Sequence, residues 1–355
     1  MSMRGGLAQL WPKAALALVS LVAALFLGEL GFRVSAERDD EPSFAQERMD
    51  CRRLDALLGG GLKPDCSTRW KRWITDGATE RMIFDAQLTT DHWGHRIVPG
   101  GLGIGRPNQA VFFGCSFTLG AGLNDDETLP SDFARAAPGF DVYNFASSGF
   151  GPQQMLAALT ETDLAPVRPK PGRTVAFYVL LDFHIARAVG TYEVVTNFGR
   201  YFPYYRLAPD GTLQRSGNFT TGRPWRMWTY DLIAHSQLSF VQSLVQSWSA
   251  RLSRADAELT AAIVRRSADA FRSKYGSDEF YVVLYPGGAR DVEERVISSL
   301  ETAGIRILDC SDLVDMHAEG ARIGDTHPSA TTNRAVAEQL AHALGLTPSP
   351  TVPVS

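Results

Sequence analysis

From Gln109 onward, short continuous apolar runs alternate with longer amphipathic segments. The apolar runs QAVFFG, FDVYNFA, RTVAFYVLLDF, DEFYVVLYPG and GIRILDCS predict five strands. Between and after them, ETLPSDFARAAP, GPQQMLAALTETDL, VEERVISSLETA and NRAVAEQLAHALGL have the spacing of helices. Strands without polar alternation are buried on both faces, and intervening helices cover those faces. The pattern therefore predicts an α/β fold around a central parallel sheet of about five strands.

Two regions depart from this alternation. Residues 190–254 contain GRYFPYYRLAPDGTLQRSG, which predicts a hairpin with a Pro-Asp-Gly turn, followed by an amphipathic helical run. We interpret residues 190–254 as an insertion at the rim of the sheet that shapes a cleft, or as an insertion without a role in function. Residues 37–105 are mixed in character and are interpreted as a membrane-proximal segment that packs on the main domain, which covers residues 106–346. The Pro/Ser-rich tail 347–355 is expected to be disordered.

The N-terminus carries the longest apolar run of the chain. Residues 14–27 have no charge, Arg4 and Lys13 precede them, and acidic residues follow. A helix from Ala14 to Phe32 would span roughly 28 Å, close to the thickness of a bilayer core. The charge asymmetry places the short N-terminus in the cytoplasm and the rest of the chain outside.

This pattern predicts a cytoplasmic stub and transmembrane signal anchor over residues 1–36. The alternative is a cleaved signal peptide with its small-residue site at 34–36, after which the protein would be secreted. Either interpretation exports the remaining chain to the periplasm or an extracellular face.

Composition excludes several classes of function. The 355-residue chain is 45% hydrophobic and 21% charged, with a formal net charge of −4 and no basic run, which argues against nucleic-acid binding. Its mean hydropathy of −0.11 excludes a protein with many membrane spans.

Cys51 and Cys66 are candidates for a disulfide in an oxidising compartment. His92 and His95 lie in a Gly-containing turn, so we expect no metal site and no cofactor.

The stretch GCSFTLGAG follows the first strand and places Ser116 at its exit. Ligands of open parallel sheets bind beyond the carboxyl ends of the strands, so Ser116 is a candidate nucleophile. Its own N–H is a candidate oxyanion donor. Cys115 is an alternative nucleophile, although alternation along the strand directs its side chain away from the cleft.

A serine nucleophile needs a base, and IGDTHPSATTNRAVAEQL supplies one. Asp325 and His327 are two residues apart in a loop before the last helix. This spacing lets the carboxylate hold one imidazole nitrogen while the other faces the cleft. Asp315 and His317 form a rival pair, but they lack the proline that separates His327 from the helix.

NFASSGFGPQQ follows the second strand. Gly149 has a backbone N–H that can approach a developing oxyanion, and Gly151 shares this candidacy. A plain turn is the alternative for this fragment.

Together these motifs resemble the SGNH (GDSL-type) hydrolase family, particularly its membrane-anchored bacterial members. GCSFTLGAGLNDDETLP is similar to the family's first block, DTHPSATTNRAVAEQLA to its last block, and TTDHWGHR to its lead-in turn. The resemblance covers about residues 85 to 345 and implies a three-layer, flavodoxin-like α/β sandwich. It implies Ser116 as nucleophile, His327 as general base with Asp325, and the N–H groups of Ser116 and Gly149 as oxyanion donors.

Two positions depart from the family. Cys115 replaces an aspartate that is mainly a structural hydrogen-bonding residue. The third block reads LLDFHIAR where the family has an asparagine. His184 is the candidate to donate to the oxyanion in its place. Alternatively Asp182 and Arg187 build a different wall, or His184 only satisfies a strand end.

We therefore expect an exported serine esterase that acts on an O-acyl group. The expected substrate is an O-acetylated envelope or secreted polysaccharide, with envelope polysaccharide machinery as an expected partner. The alternatives are an O-acetyltransferase of the same fold and a non-catalytic carbohydrate-binding or assembly protein.

Overall fold

The structure is a computed structural model that describes residues 4–36, 43–76, 79–288 and 290–346; the tail predicted to be disordered lies outside these ranges. The helices are α1 (Arg4–Ala36), α2 (Ser116–Leu119), α3 (Leu129–Ala136), α4 (Pro152–Glu161), α5 (Phe183–Val189), α6 (Tyr192–Asn197), α7 (Phe219–Gly222), α8 (Pro224–Ala234), α9 (Ser239–Ser249), α10 (Arg254–Tyr275), α11 (Arg290–Thr302) and α12 (Ala330–Ala343), with a short 3₁₀ helix at Asp125–Glu127. The strands are β1 (Ser43–Arg48), β2 (Arg52–Arg53), β3 (Gly61–Leu62), β4 (Ser67–Asp76), β5 (Thr79–Thr89), β6 (Asn108–Phe113), β7 (Phe140–Asn144), β8 (Thr174–Leu180), β9 (Pro203–Leu207), β10 (Leu213–Asn218), β11 (Phe280–Leu284) and β12 (Arg306–Asp309).

The five predicted strands form one parallel sheet in the order β12-β11-β8-β6-β7. Counted along the chain, this is the 2-1-3-4-5 order of flavodoxin-like folds. The connection order reverses between β6 and β8, and a crevice opens there beyond the carboxyl ends of the strands. The predicted α/β fold with a central parallel sheet is confirmed.

Successive side chains of each strand enter opposite cores, because strand residues alternate between faces. Phe112 and Phe177 lie in the core that includes α3 and α12. Val111 and Tyr178 lie in the core that includes α4, α10 and α11. This double burial explains why the strands read as continuous apolar runs.

The segment before the main domain forms an antiparallel sheet in the order β1-β4-β5. Its apolar residues pack on the loops that follow β6 and β7, with Trp70 and Phe84 meeting Leu119 and Ala146 in one core. A disulfide joins Cys51 to Cys66 in this segment. These contacts pack the segment on the carboxyl edge of the central sheet.

A buried arginine fastens this antiparallel sheet to the main domain. Arg96 is 1% exposed and donates to Asp125 and to the carbonyl oxygens of Gln87, Leu119, Gly120 and Leu123. A guanidinium has five N–H donors and cannot shed its charge, so such a site is stable only when its donors are paired. The interaction fixes the loop at the carboxyl end of β6.

The region of the predicted insertion contains the antiparallel hairpin β9-β10. The helical run after it, predicted as one amphipathic helix, is broken into α8 and α9. The 22-residue α10 follows directly, and the sequence pattern did not identify it as a helix.

Helix α1 includes the segment predicted as an anchor. Its C-terminal part packs on α9: Glu29 accepts the N–H of Phe240, and Arg33 donates to the carbonyl of Gln237. In the part of the chain that the structure describes, no helix has both the length and the apolar character needed to cross a lipid bilayer.

The cysteines allow a direct test of this arrangement. Cys115 and Cys310 are free and buried, and burial, helped by the charge of Asp309, raises the pKa of Cys310 to about 12. We expect the native protein to show no reactive thiol towards an aromatic disulfide reagent. Denaturant without reductant should expose two thiols per chain, and reduction should expose all four cysteines of the sequence. Four thiols in denaturant alone would contradict the disulfide.

Candidate active site

The exit of β6 presents Ser116 at the carboxyl edge of the sheet. Ser116 is the first residue of α2, which is capped at its C-terminus by Gly120 in a left-handed conformation. Gly114 is required here, because a Cβ on it would lie 2.2 Å from the Thr118 hydroxyl oxygen. Cys115 is completely buried in the core under α3 and α12. The Ser116 side chain faces the cleft, and the thiol of Cys115 does not.

Ser116, His327 and Asp325 form one hydrogen-bonded line. The His327 Nε2 lies 2.8 Å from the Ser116 Oγ, and its Nδ1 lies 3.0 Å from Oδ1 of Asp325. The same carboxylate oxygen accepts the backbone N–H of His327 at 2.9 Å. A carboxylate cannot donate, so Nδ1 carries the proton and Nε2 is free to accept the serine proton.

The second oxygen of Asp325 is held from the antiparallel sheet. The Arg72 Nη1 donates to Oδ2 of Asp325 at 2.8 Å, and the Asp325 side chain is only 2% exposed. Burial alone would raise the pKa of this carboxyl. The hydrogen bonds that Asp325 accepts from His327, with the charge of Arg72, outweigh burial and hold the pKa of Asp325 below its ordinary value. Asp325 is therefore ionised at neutral pH.

Local backbone contacts fix the His327 loop. The carbonyl of His327 accepts the N–H of Ile323. The backbones of Arg322 and Pro328 pair in an isolated antiparallel β-bridge. Ser329 then caps α12 by accepting the N–H of Thr332. The proline that follows His327 separates this loop from the helix, as the sequence pattern predicts.

Two backbone N–H groups are available for an oxyanion. Among the described residues, neither Ser116 nor Gly149 donates its N–H to a protein acceptor, and both residues line the cleft. Gly149 has a φ of +81°, and a Cβ there would approach the ring of Phe198 to 3.1 Å. Glycine is therefore the residue that suits this turn. Gly151 instead donates its N–H to Gln154 at the start of α4.

His184 does not reach the cleft, contrary to the expectation that it donates to an oxyanion. Its side chain is fully buried, and its Nδ1 lies 2.8 Å from the hydroxyl of Tyr178. Burial, with the nearby charge of Arg187, keeps its pKa well below the ordinary value, so the ring is neutral. The first turn of α5 points this side chain into the core, and Arg187, from the same helix, lines the cleft in its place.

The other histidines considered from the sequence lie outside the triad. His317 is exposed in a turn, where its N–H donates to Asp315. His92 contacts Asp65 on the surface, and His95 packs on Phe145. Within the described ranges, no group of His, Cys, Asp or Glu has the arrangement of a metal site.

A cleft of about 440 Å³ opens over Ser116 and His327. One wall comes from the antiparallel sheet and the loop around the disulfide, and the other from α5 and the segment before β9. The residues that line it are Met49, Arg52, Arg53, Gly59, Gly60, Gly61, Leu62, Trp70, Arg72, Ser116, Ser147, Ser148, Gly149, Arg187, Phe198, Phe202 and His327. The sequence pattern did not identify the contribution of the first wall.

Comparison with known proteins gives similarity in structure only. No family model and no curated protein matches the sequence. A lipolytic G-D-S-L family protein from Veillonella parvula is 12% identical, with 67% of this chain and 98% of that chain covered and a TM-score of 0.38. A carbohydrate acetylesterase from Sinorhizobium meliloti has the same values. An acetyl xylan esterase from Butyrivibrio proteoclasticus is 14% identical, with coverages of 67% and 64% and a TM-score of 0.39. At this level of similarity, activity is inferred from the cleft geometry alone.

The Arg72–Asp325 contact predicts a pH-dependent loss of stability in Arg72→Met. This ion pair stabilises the fold only while Asp325 is ionised, so its contribution is complete above the ordinary aspartate pKa. It is lost as the pH falls through the lowered folded-state pKa. We expect the free energy of unfolding to fall by about 1–3 kcal/mol at pH 7, since the arginine is partly exposed.

Urea unfolding between pH 7 and pH 3 measures this difference. It should shrink as the pH falls, whereas Arg81→Met, at an exposed position of β5, should change stability by less than about 0.5 kcal/mol at any pH. A difference between Arg72→Met and the parent that stays constant across this range would contradict the assignment.

Proposed function

We propose that this chain is a serine esterase that removes a small O-acyl group, most simply acetyl, from a carbohydrate hydroxyl. One observation carries the proposal: the hydrogen-bonded line from Ser116 through His327 to Asp325 ends in an open cleft. Ser116 and Gly149 line the same cleft, and their N–H groups donate to no protein acceptor among the described residues. A nucleophile, an oriented base and an oxyanion pocket are the parts that acyl transfer requires.

In the first half of the reaction, Ser116 Oγ attacks the ester carbonyl carbon while its proton passes to the Nε2 of His327. The carbonyl oxygen becomes an oxyanion that accepts the N–H groups of Ser116 and Gly149. The ester C–O bond then breaks, and the leaving sugar oxygen takes the proton from Nε2. Asp325 stabilises the imidazolium between these two transfers.

In the second half, water attacks the acyl-serine and gives its proton to the His327 Nε2. A second oxyanion forms and collapses, the Ser116 Oγ takes back the proton, and the carboxylic acid is released. No third oxyanion donor comes from His184, because its ring is buried. Such a donor is typically worth 10²–10³-fold in rate.

We also infer that the domain works outside the cytoplasm, with its N-terminal segment serving as an export leader. The disulfide between Cys51 and Cys66 supports this, because such bonds persist in oxidising compartments. The same bond lies beside the cleft wall formed by Arg52 and Arg53, so an oxidising compartment would also preserve the shape of that wall.

Acetate release from an aryl acetate tests the proposal. Ser116→Ala and His327→Ala should each lower kcat/KM by roughly 10⁴-fold or more, and Asp325→Asn by roughly 10⁴-fold, because the triad acts as a unit. The expected losses appear in kcat, since the triad acts on the transition state.

His317→Ala is the matched control, because His317 also follows an aspartate by two residues but is exposed in a turn outside the cleft. It should retain the parent rate. Equal losses in His317→Ala and His327→Ala, or full activity in Ser116→Ala, would refute the proposal.

A further inference from the structure

The cleft around Ser116 is lined by arginine and by no acidic residue among those described. Arg52, Arg53, Arg72 and Arg187 line it, whereas no aspartate or glutamate does. The whole chain carries a net charge of −4, so this concentration of positive charge is local. Clefts lined by one sign of charge attract ligands of the opposite sign.

Arg187 contributes a charge that has no carboxylate partner among the described residues. Its guanidinium stacks 4.3 Å above the ring of Phe183 and donates one N–H to the carbonyl of Phe150. Within the described ranges, no carboxylate lies at ion-pair distance from it, although ion pairs are frequent elsewhere in the molecule. A half-buried arginine held in this way presents its remaining donors to the cleft.

Arg53 lies on the opposite wall. It is exposed and contacts Asp55 at 3.3 Å, while the other oxygen of Asp55 accepts the N–H groups of Leu57 and Leu58. This ion pair is long and solvent-exposed, so it leaves Arg53 free to exchange Asp55 for a ligand anion at little cost. Arg72 differs, because it is committed to Asp325.

We propose that the cleft binds a negatively charged glycan, with carboxylate or phosphate groups on the sugar units that flank the acylated one. The inference rests on the proposed esterase function and names its substrate class. Guanidinium groups bind carboxylate and phosphate by paired N–H···O bonds, and arginines on both walls match anions on both sides of the reacting ester. The apolar face of the cleft, with Phe198 and Phe202, is left for the sugar ring.

Binding to the full-length Ser116→Ala protein tests the proposal without turnover. Calorimetry would compare a hexuronate tetrasaccharide, a glycerol-phosphate oligomer and a neutral hexose tetrasaccharide. We expect at least one anionic ligand to bind about ten-fold more tightly than the neutral one at 25 mM salt. This preference should shrink at 500 mM salt, because partly exposed charges are screened over a few ångströms there.

Arginine variants in the same background locate the effect. Arg187→Gln and Arg53→Gln should each weaken anionic binding by about five- to ten-fold, and Arg187→Lys should restore part of it. Arg266→Gln, at an exposed position of α10 outside the cleft, is the matched control and should bind as the parent does.

The outcomes separate this inference from the proposed function. Charge-selective binding without ester hydrolysis by the parent would refute the esterase and leave the anionic ligand in place. Hydrolysis with equal affinity for neutral and anionic ligands, or with no measurable binding of either anion, would overturn the inference. An anionic preference unchanged in both arginine variants would also overturn it.

Discussion

The hydrogen bond between the Ser116 hydroxyl and the His327 imidazole joins residues 211 positions apart in the chain. The parallel sheet brings the two residues together, because the carboxyl ends of all its strands lie at one edge. Ser116 is fixed there by the glycine-containing exit of β6, and His327 by the capped start of α12. Helices α3 and α12 share one core, so the two ends of the domain are packed together beneath the site.

The antiparallel sheet before the main domain is part of this site. Arg96 fastens it to the loop after β6, and Arg72 reaches from it to Asp325. The orientation of the base thus depends on a segment 253 residues away from that carboxylate. The cleft exists between this sheet and the segment before β9, so substrate selection and triad geometry share one wall.

Sequence reasoning succeeded where one physical signal dominates. Strands buried on both faces are continuous apolar runs, so the sheet was predictable, and local spacing suggested that Asp325 and His327 face each other. Two features carry no such local signal. The ten-residue β4, STRWKRWITD, mixes charges with aromatics because one face is solvated. Side-chain direction in the first turn of α5 decides that His184 is buried, and neither spacing nor residue type determines that direction. Helix α10 does carry local signals, because Ser253 and Asp256 form a capping box and Gly276 follows its end, but its polar, arginine-rich composition obscured its apolar face.

The most direct test of the central claim is to identify the residue that becomes covalently modified. A fluorophosphonate probe reacts with a serine only when a base and an oxyanion pocket act on it. Peptide mass mapping of the labelled full-length protein should place one adduct on Ser116, with labelling much slower in His327→Ala. An adduct on another residue, or labelling of Ser116 at the same rate without His327, would contradict the account.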